Sequence, residues 1–170
     1  MRIHTSVLLI AILLSGVGST AAQTAGNEIK TATLLKRTNV NGIDNYPYAA
    51  YSFKFGGNGP EIEKLSRNNW DILFGNSPEP DSFDVTLVTD DRSRIRDLGN
   101  HTWAEKFAVP TLAAYEEPER EPSVKALEGH VYLVHSRDRD TDLYALLRVE
   151  KLIPGERVDI TWKLIPKPSK

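Results

Sequence analysis

From His130 onward the chain divides into three short apolar runs separated by turn-forming residues. Residues 130–136 (HVYLVHS), 143–152 (LYALLRVEKL) and 158–165 (VDITWKLI) are rich in β-branched, aromatic and leucine side chains. Residues 137–142 (RDRDTD) and 153–156 (IPGE) lie between them. In the last run Val158, Ile160, Trp162 and Leu164 alternate with Asp159, Thr161 and Lys163. That is the period of a strand with one face buried. Pro154-Gly155 suits the centre of a type II turn, where proline presets φ and glycine accepts a positive φ. The pattern predicts a C-terminal meander of three antiparallel strands.

Earlier segments carry the same signal more weakly. Residues 29–38 have strand-like content, and 39–45 (NVNGIDN) form a turn cluster around Asn-Gly. Tyr51, Phe53 and Phe55 alternate with Ser52 and Lys54, which predicts a half-buried strand stopped by 56–60 (GGNGP). Residues 61–69 fit either a helical turn or a polar excursion. Trp70, Ile72 and Phe74 share one side of a short run, and Phe83, Val85 and Leu87 share one side of another. Residues 90–93 read as a hairpin turn into a strand over 94–98. From 99 to 123 the alternation fades, and Pro110, Pro118 and Pro122 cannot donate to a ladder. This stretch reads as a long irregular connection with a short helix near 102–107. The sum is roughly seven to nine strands, the number expected of an all-β fold, either an antiparallel β-sandwich or an open barrel.

The N-terminus changes where such a domain is expected to act. Arg2 precedes an apolar stretch over 6–18, and Ser19, Thr20, Ala21 and Ala22 close it with small residues. This is the layout of a secretory signal peptide. The expected organisation is a leader over 1–22, a flexible lead-in over 23–28, a single β-domain over 29–166 and a tail over 167–170. A secreted or periplasmic location follows. The whole chain carries 21 Lys and Arg against 23 Asp and Glu, a net charge of −2, and losing Arg2 with the leader makes it one charge more negative. A mixed, mildly acidic chain gives no reason to expect a nucleic-acid partner. No apolar run after the leader reaches the ~20 residues of a membrane-crossing helix. Cysteine is absent, so stability must come from packing, and thiolate chemistry is excluded. For an exported domain this composition favours a bacterial envelope. The sole methionine is Met1, so no thioether remains to ligate a metal after processing. A monomer is expected.

Candidate chemistry is sparse. Asp138, Asp140 and Asp142 have the spacing that opens a calcium loop, but Leu143 stands where glycine is needed and Val149 where a bidentate glutamate is needed. Arg137 and Arg139 would repel the ion, so the run reads as a solvated hairpin tip. His101, His130 and His135 are the histidines beyond the leader. His130 and His135 are five positions apart, so on a regular strand they face opposite sides and do not share a metal without a bulge. His101 lies in the irregular connection, where it can meet either. No Gly-x-Ser-x-Gly elbow surrounds Ser93 or Ser136. Acidic neighbours such as Asp90-Asp91 and Glu116-Glu117 read as solvent-facing, and 56–60 lacks the lysine of a phosphate loop. Asn100-His101-Thr102 is a formal glycosylation sequon that matters only in a eukaryotic host. Trp70 and Trp162 read as core, and Trp103, in the irregular stretch, as the exposed tryptophan available for stacking. The candidate ligand-binding residues are therefore Trp103, His101, His130 and His135, with no catalytic residue and no metal site assigned.

Residues 51–55 (YSFKF), 70–74 (WDILF), 129–134 (GHVYLV), 144–149 (YALLRV) and Ile160-Thr161-Trp162 occur in an order that resembles the HmuY-like haemophore family of exported bacterial β-proteins. The resemblance spans 48–165 and implies a β-sandwich-like fold and an exported binding protein. It carries no haem-ligand role onto His101, His130 or His135. The chain also resembles uncharacterised exported bacterial proteins. The expected function is an exported, non-catalytic binding or envelope-associated β-domain with an unknown small ligand or envelope protein as partner and no cofactor. The alternatives are a haem or metal carrier using His101 with His130 or His135, and an exported hydrolase with its site in the 99–123 loop.

Overall fold

The computed structural model describes residues 28–58, 70–76, 78–85, 93–109, 123–137 and 141–167. In chain order its first elements are β1 (Lys30–Leu35), β2 (Asn39–Val40), β3 (Ile43–Asp44), the one-turn helix α1 (Tyr46–Ala49), β4 (Ala50–Ser52) and β5 (Gly57–Asn58). Then follow β6 (Ile72–Phe74), β7 (Ser82–Asp84), β8 (Arg94–Asn100), β9 (Ser123–Lys125), β10 (His130–Arg137), β11 (Asp142–Ile153) and β12 (Arg157–Ile165). The larger sheet has the order β1-β12-β11-β10-β8, and the smaller has the order β5-β4-β6-β7-β9. Every pairing is antiparallel.

The two sheets share one core. Tyr51, Phe53, Ile72, Phe74 and Phe83 of the smaller sheet and its connections meet Tyr132, Val134, Leu147, Val149, Val158, Ile160 and Trp162 of the larger. The inward positions of β12 are those the alternation predicts. The expected meander is present as β10, β11 and β12, and Gly155 sits at φ +73 in the turn closed by Glu156 N–H on Ile153 C=O at 3.0 Å. The β10 run is apolar without a break because both of its faces are covered. Tyr132 and Val134 point into the shared core, while Val131 and Leu133 point out under Leu98, Trp103, Phe107 and Val109. The smaller sheet is covered on its outer side by Tyr46, Ala49 and Trp70.

Side chains also bond one sheet to the other. The Trp162 indole donates to the Tyr51 hydroxyl at 2.9 Å, and the Ser136 hydroxyl donates to the Asp71 carboxylate. The Tyr132 hydroxyl donates to Lys125 C=O at 2.9 Å and accepts from Leu127 N–H at 2.8 Å. At one seam Asn58 Nδ2 reaches Thr33 C=O at 2.8 Å. At the other, β9 approaches β8. The result is a flattened antiparallel sandwich whose edges come close together, as in an open barrel.

Three expectations change in detail. Tyr51, Phe53 and Phe55 do not share one strand face: β4 ends at Ser52, Phe53 is buried and Phe55 is 55% exposed. The cause is Asp71, whose carboxylate takes the Phe53 N–H at 2.6 Å and the Lys54 N–H at 3.3 Å, so the backbone turns out of the ladder. Trp70 precedes β6 and packs with Leu73 on the outer side, not with Ile72 and Phe74. The short helix expected near 102–107 is absent, and turns take its place. The Asn41-Gly42 pair sits at φ +53 and +80, the left-handed pair that an Asn-Gly hairpin turn demands. It joins β2 to β3 in a hairpin with Val40 and Ile43 exposed.

The leader over 1–22, most of the lead-in, residues 61–69, Leu87, Asp90-Asp91, Pro110, Pro118, Pro122, Asp138, Asp140 and most of the tail lie outside the described residues. Among the described residues no helix is long and apolar enough to cross a membrane.

Candidate functional site

The three histidines are held by three separate sets of partners. His101 stacks on Phe107 with ring centroids 4.7 Å apart, its Nδ1 lies 3.1 Å from a Glu105 oxygen, and its Nε2 lies 3.1 Å from Leu98 C=O. His130 Nδ1 lies 2.9 Å from Asp97. His135 Nε2 lies 2.8 Å from Asp142 Oδ1, and its ring stacks on Tyr144 at 4.2 Å and 8°. On β10, His130 takes the parity of Tyr132 and His135 that of Leu133, so the two imidazoles face opposite sides of the sheet. Among the described residues no three His, Asp or Glu side chains converge as a metal ligand set. Trp103 is half-buried, in contrast to the exposed platform expected: its indole donates to Thr161 Oγ1 at 2.8 Å, and Lys163 Nζ lies over its ring. It helps to strap the 98–109 segment onto the outer face of the larger sheet.

His135 lies beside an opening. β11 begins at Asp142 and β12 ends at Ile165, and their register sets Tyr144 opposite Ile165. The chain then leaves the sheet through Pro166 and Lys167. A cavity of about 170 Å³ opens there between Asp142, Tyr144, Leu164, Ile165, Pro166 and Lys167. His135 lies behind Tyr144 with its side chain only 7% exposed, whereas the Asp142 side chain is 53% exposed. The buried imidazole thus orients a carboxylate that still faces water. The cavity has an apolar wall, one anionic group and one cationic group. Its volume accommodates one ring or a branched aliphatic side chain, since a cavity of ~150 Å³ takes up benzene.

Burial holds the His135 imidazole below its ordinary range, Asp142 pulls it upward, and Arg137 and Lys167 push it down again. Desolvation outweighs the carboxylate, so near neutrality a neutral ring donates its Nε2–H to Asp142. The folded chain binds this proton more weakly than the unfolded chain. The associated stability is therefore present above the unfolded value, ~6.5, and is lost as pH falls through the lower folded value. Urea unfolding at pH 7.5 and at pH 5 is expected to show a smaller acid loss for His135→Gln than for the parent. An equal loss in both would remove His135 from the account.

Several other polar groups of the interior hold the fold. Asp71, 3% exposed, accepts from Ser52 Oγ at 3.0 Å, from Phe53 and Lys54 N–H, and from Ser136 Oγ. Ser93 Oγ accepts the Arg137 N–H at 3.0 Å and reaches Arg137 C=O at 3.4 Å. Arg37 grips Asp44 through two nitrogens, at 3.2 and 2.8 Å, donates also to Asn76, and lies over the Tyr46 ring. Ser136 has the parity of Val134 and faces the core, away from His135. Its hydroxyl is given to Asp71, on the core side of the sheet. Sequence reasoning picked His135 but missed its site partners Tyr144 and Lys167, and it missed Asp71 altogether. The available signal for Asp71 was a carboxylate inside an apolar run. Of the 99–123 connection, the alternative hydrolytic site, residues 110–122 lie outside the described residues.

Compared with known protein families, curated proteins and solved structures, the chain matches none.

Proposed function

We propose that this chain is an exported all-β binding domain without catalytic chemistry of its own, which takes a small ligand at the His135 end of the larger sheet. One observation carries the reading. The cavity between Asp142, Tyr144 and Lys167 joins an apolar wall to charged groups of both signs beside a buried imidazole, the composition of a small-molecule site. The Ser136 hydroxyl is bonded to Asp71, and the Ser93 hydroxyl accepts the Arg137 N–H, so both serve the fold. The layout of residues 1–22 supports export. The resemblance to exported haemophore-like proteins supports a binding role.

Thermal unfolding of the exported chain against a panel of small amphipathic compounds tests the proposal. At least one compound is expected to raise the midpoint of the parent and not of Pro166→Trp, which places an indole at the cavity mouth. Equal stabilisation of both proteins would move the site elsewhere, and turnover of any compound would remove the non-catalytic reading.

A further inference from the structure

We infer that the ligand of this cavity is a small zwitterion with an apolar body, of the size and charge pattern of a free apolar α-amino acid. The inference rests on the binding role just proposed and assigns its ligand class. Three features point to it. The first is size: about 170 Å³ accommodates a leucine or phenylalanine side chain.

The second is charge. Asp142 and Lys167 both line the opening, with Tyr144, Leu164, Ile165 and Pro166 as its apolar parts. A ligand with a single charge would meet one attractive and one repulsive group. A zwitterion can offer its ammonium to Asp142 and its carboxylate to Lys167, while its side chain covers the apolar wall. The third is preorganisation. His135 Nε2 holds Asp142 Oδ1 at 2.8 Å, and His135 is itself fixed by the face of Tyr144. An exposed carboxylate oriented by a buried ring loses less freedom on binding than one on a free side chain. Burial, and after it the positive charges of Arg137 and Lys167, disfavour protonation of His135, which leaves the Asp142 carboxylate to an ammonium group.

Calorimetric titration of the exported chain with L-leucine, L-phenylalanine and their singly charged relatives, isovalerate, 3-phenylpropionate, isoamylamine and phenethylamine, tests this. The amino acids are expected to bind at least ten-fold more tightly than either relative. Asp142→Asn is expected to weaken the amino acid and the amine and to strengthen the carboxylate, whose repulsion it removes. Lys167→Gln is expected to weaken the amino acid and the carboxylate and to strengthen the amine. Both side chains lie at the surface, and circular dichroism checks that each variant is folded. A carboxylate or an amine that binds as tightly as the amino acid overturns the ligand class and leaves the binding site standing. Absence of binding by every compound overturns the ligand class, and if the wider panel also fails to stabilise the chain, the site falls with it.

Discussion

Truncation of Trp162 to alanine is expected to lower folding stability by about 3–5 kcal/mol, the range for removing a fully buried large aromatic side chain. Trp162 is 1% exposed at the centre of the shared core. Its ring lies 5.7 Å from Tyr51 and 5.0 Å from Phe53, both contributed by the opposite layer. Its indole N–H donates to the Tyr51 hydroxyl, so the truncation opens a cavity and also removes a partner from a buried phenol. Trp162→Phe keeps most of the volume and is expected to cost less. Urea unfolding at equilibrium reads both values. A loss below about 1 kcal/mol for Trp162→Ala would place this side chain at the surface and undo the packing of the two sheets.

Asp71 has the second-largest expected effect, with opposite outcomes for two substitutions. Asp71→Ala leaves the Phe53 N–H and the Ser52 and Ser136 hydroxyls in the interior without their acceptor, at an expected cost of about 3 kcal/mol. Asp71→Asn retains one oxygen for the donors of the 52–54 turn and offers an N–H to the Ser136 hydroxyl, so its cost near neutral pH is expected to be small. Burial raises the Asp71 carboxyl above its ordinary value, and the hydrogen bonds from Ser136, Lys54, Ser52 and Phe53 offset this in part. A raised folded value means the contribution is fully present below the unfolded value, ~3.9, and declines as pH rises through the folded one. Asp71→Asn removes that slope. Denaturation of parent and variant across pH 3–7 should show the two converging in stability, or crossing, toward neutrality. A parent that gains on the variant steadily from acid to neutral pH would contradict the assignment.

The elements legible in the sequence are those whose partners are near in the chain. The three C-terminal strands pair with their neighbours across short turns, so alternation and Pro154-Gly155 define them together. The opposite orientations of His130 and His135 follow from strand parity, and the structure keeps them. What was not legible depends on distant partners. β4 stops at Ser52 because a carboxylate 18 positions from Phe53 captures its N–H, and nothing in YSFKF announces that. Ser136 is separated from Asp71 by 65 positions, and each residue read alone is an ordinary polar side chain. Trp103 was read as exposed because its surroundings lack periodicity. It is half-buried because the outer face of the larger sheet is apolar at Val131, Leu133, Tyr144 and Leu146 and needs a cover. The cavity exists only where the β11–β12 register leaves Tyr144 opposite Ile165 at the sheet's end, a fact of pairing rather than composition.

The proposed ligand site lies at the His135 end of the larger sheet, separate from the polar groups that hold the two sheets together. Amide and imidazole NMR of the exported chain, titrated with a panel of small charged aliphatic and aromatic compounds, tests it most directly. Shifts are expected to concentrate at His135, Asp142, Tyr144, Ile165 and Lys167, with Asp71, Ser52 and Ser136 unmoved. Shifts concentrated instead on His101, Trp103 and Phe107, or on the Val40–Ile43 hairpin, would contradict it.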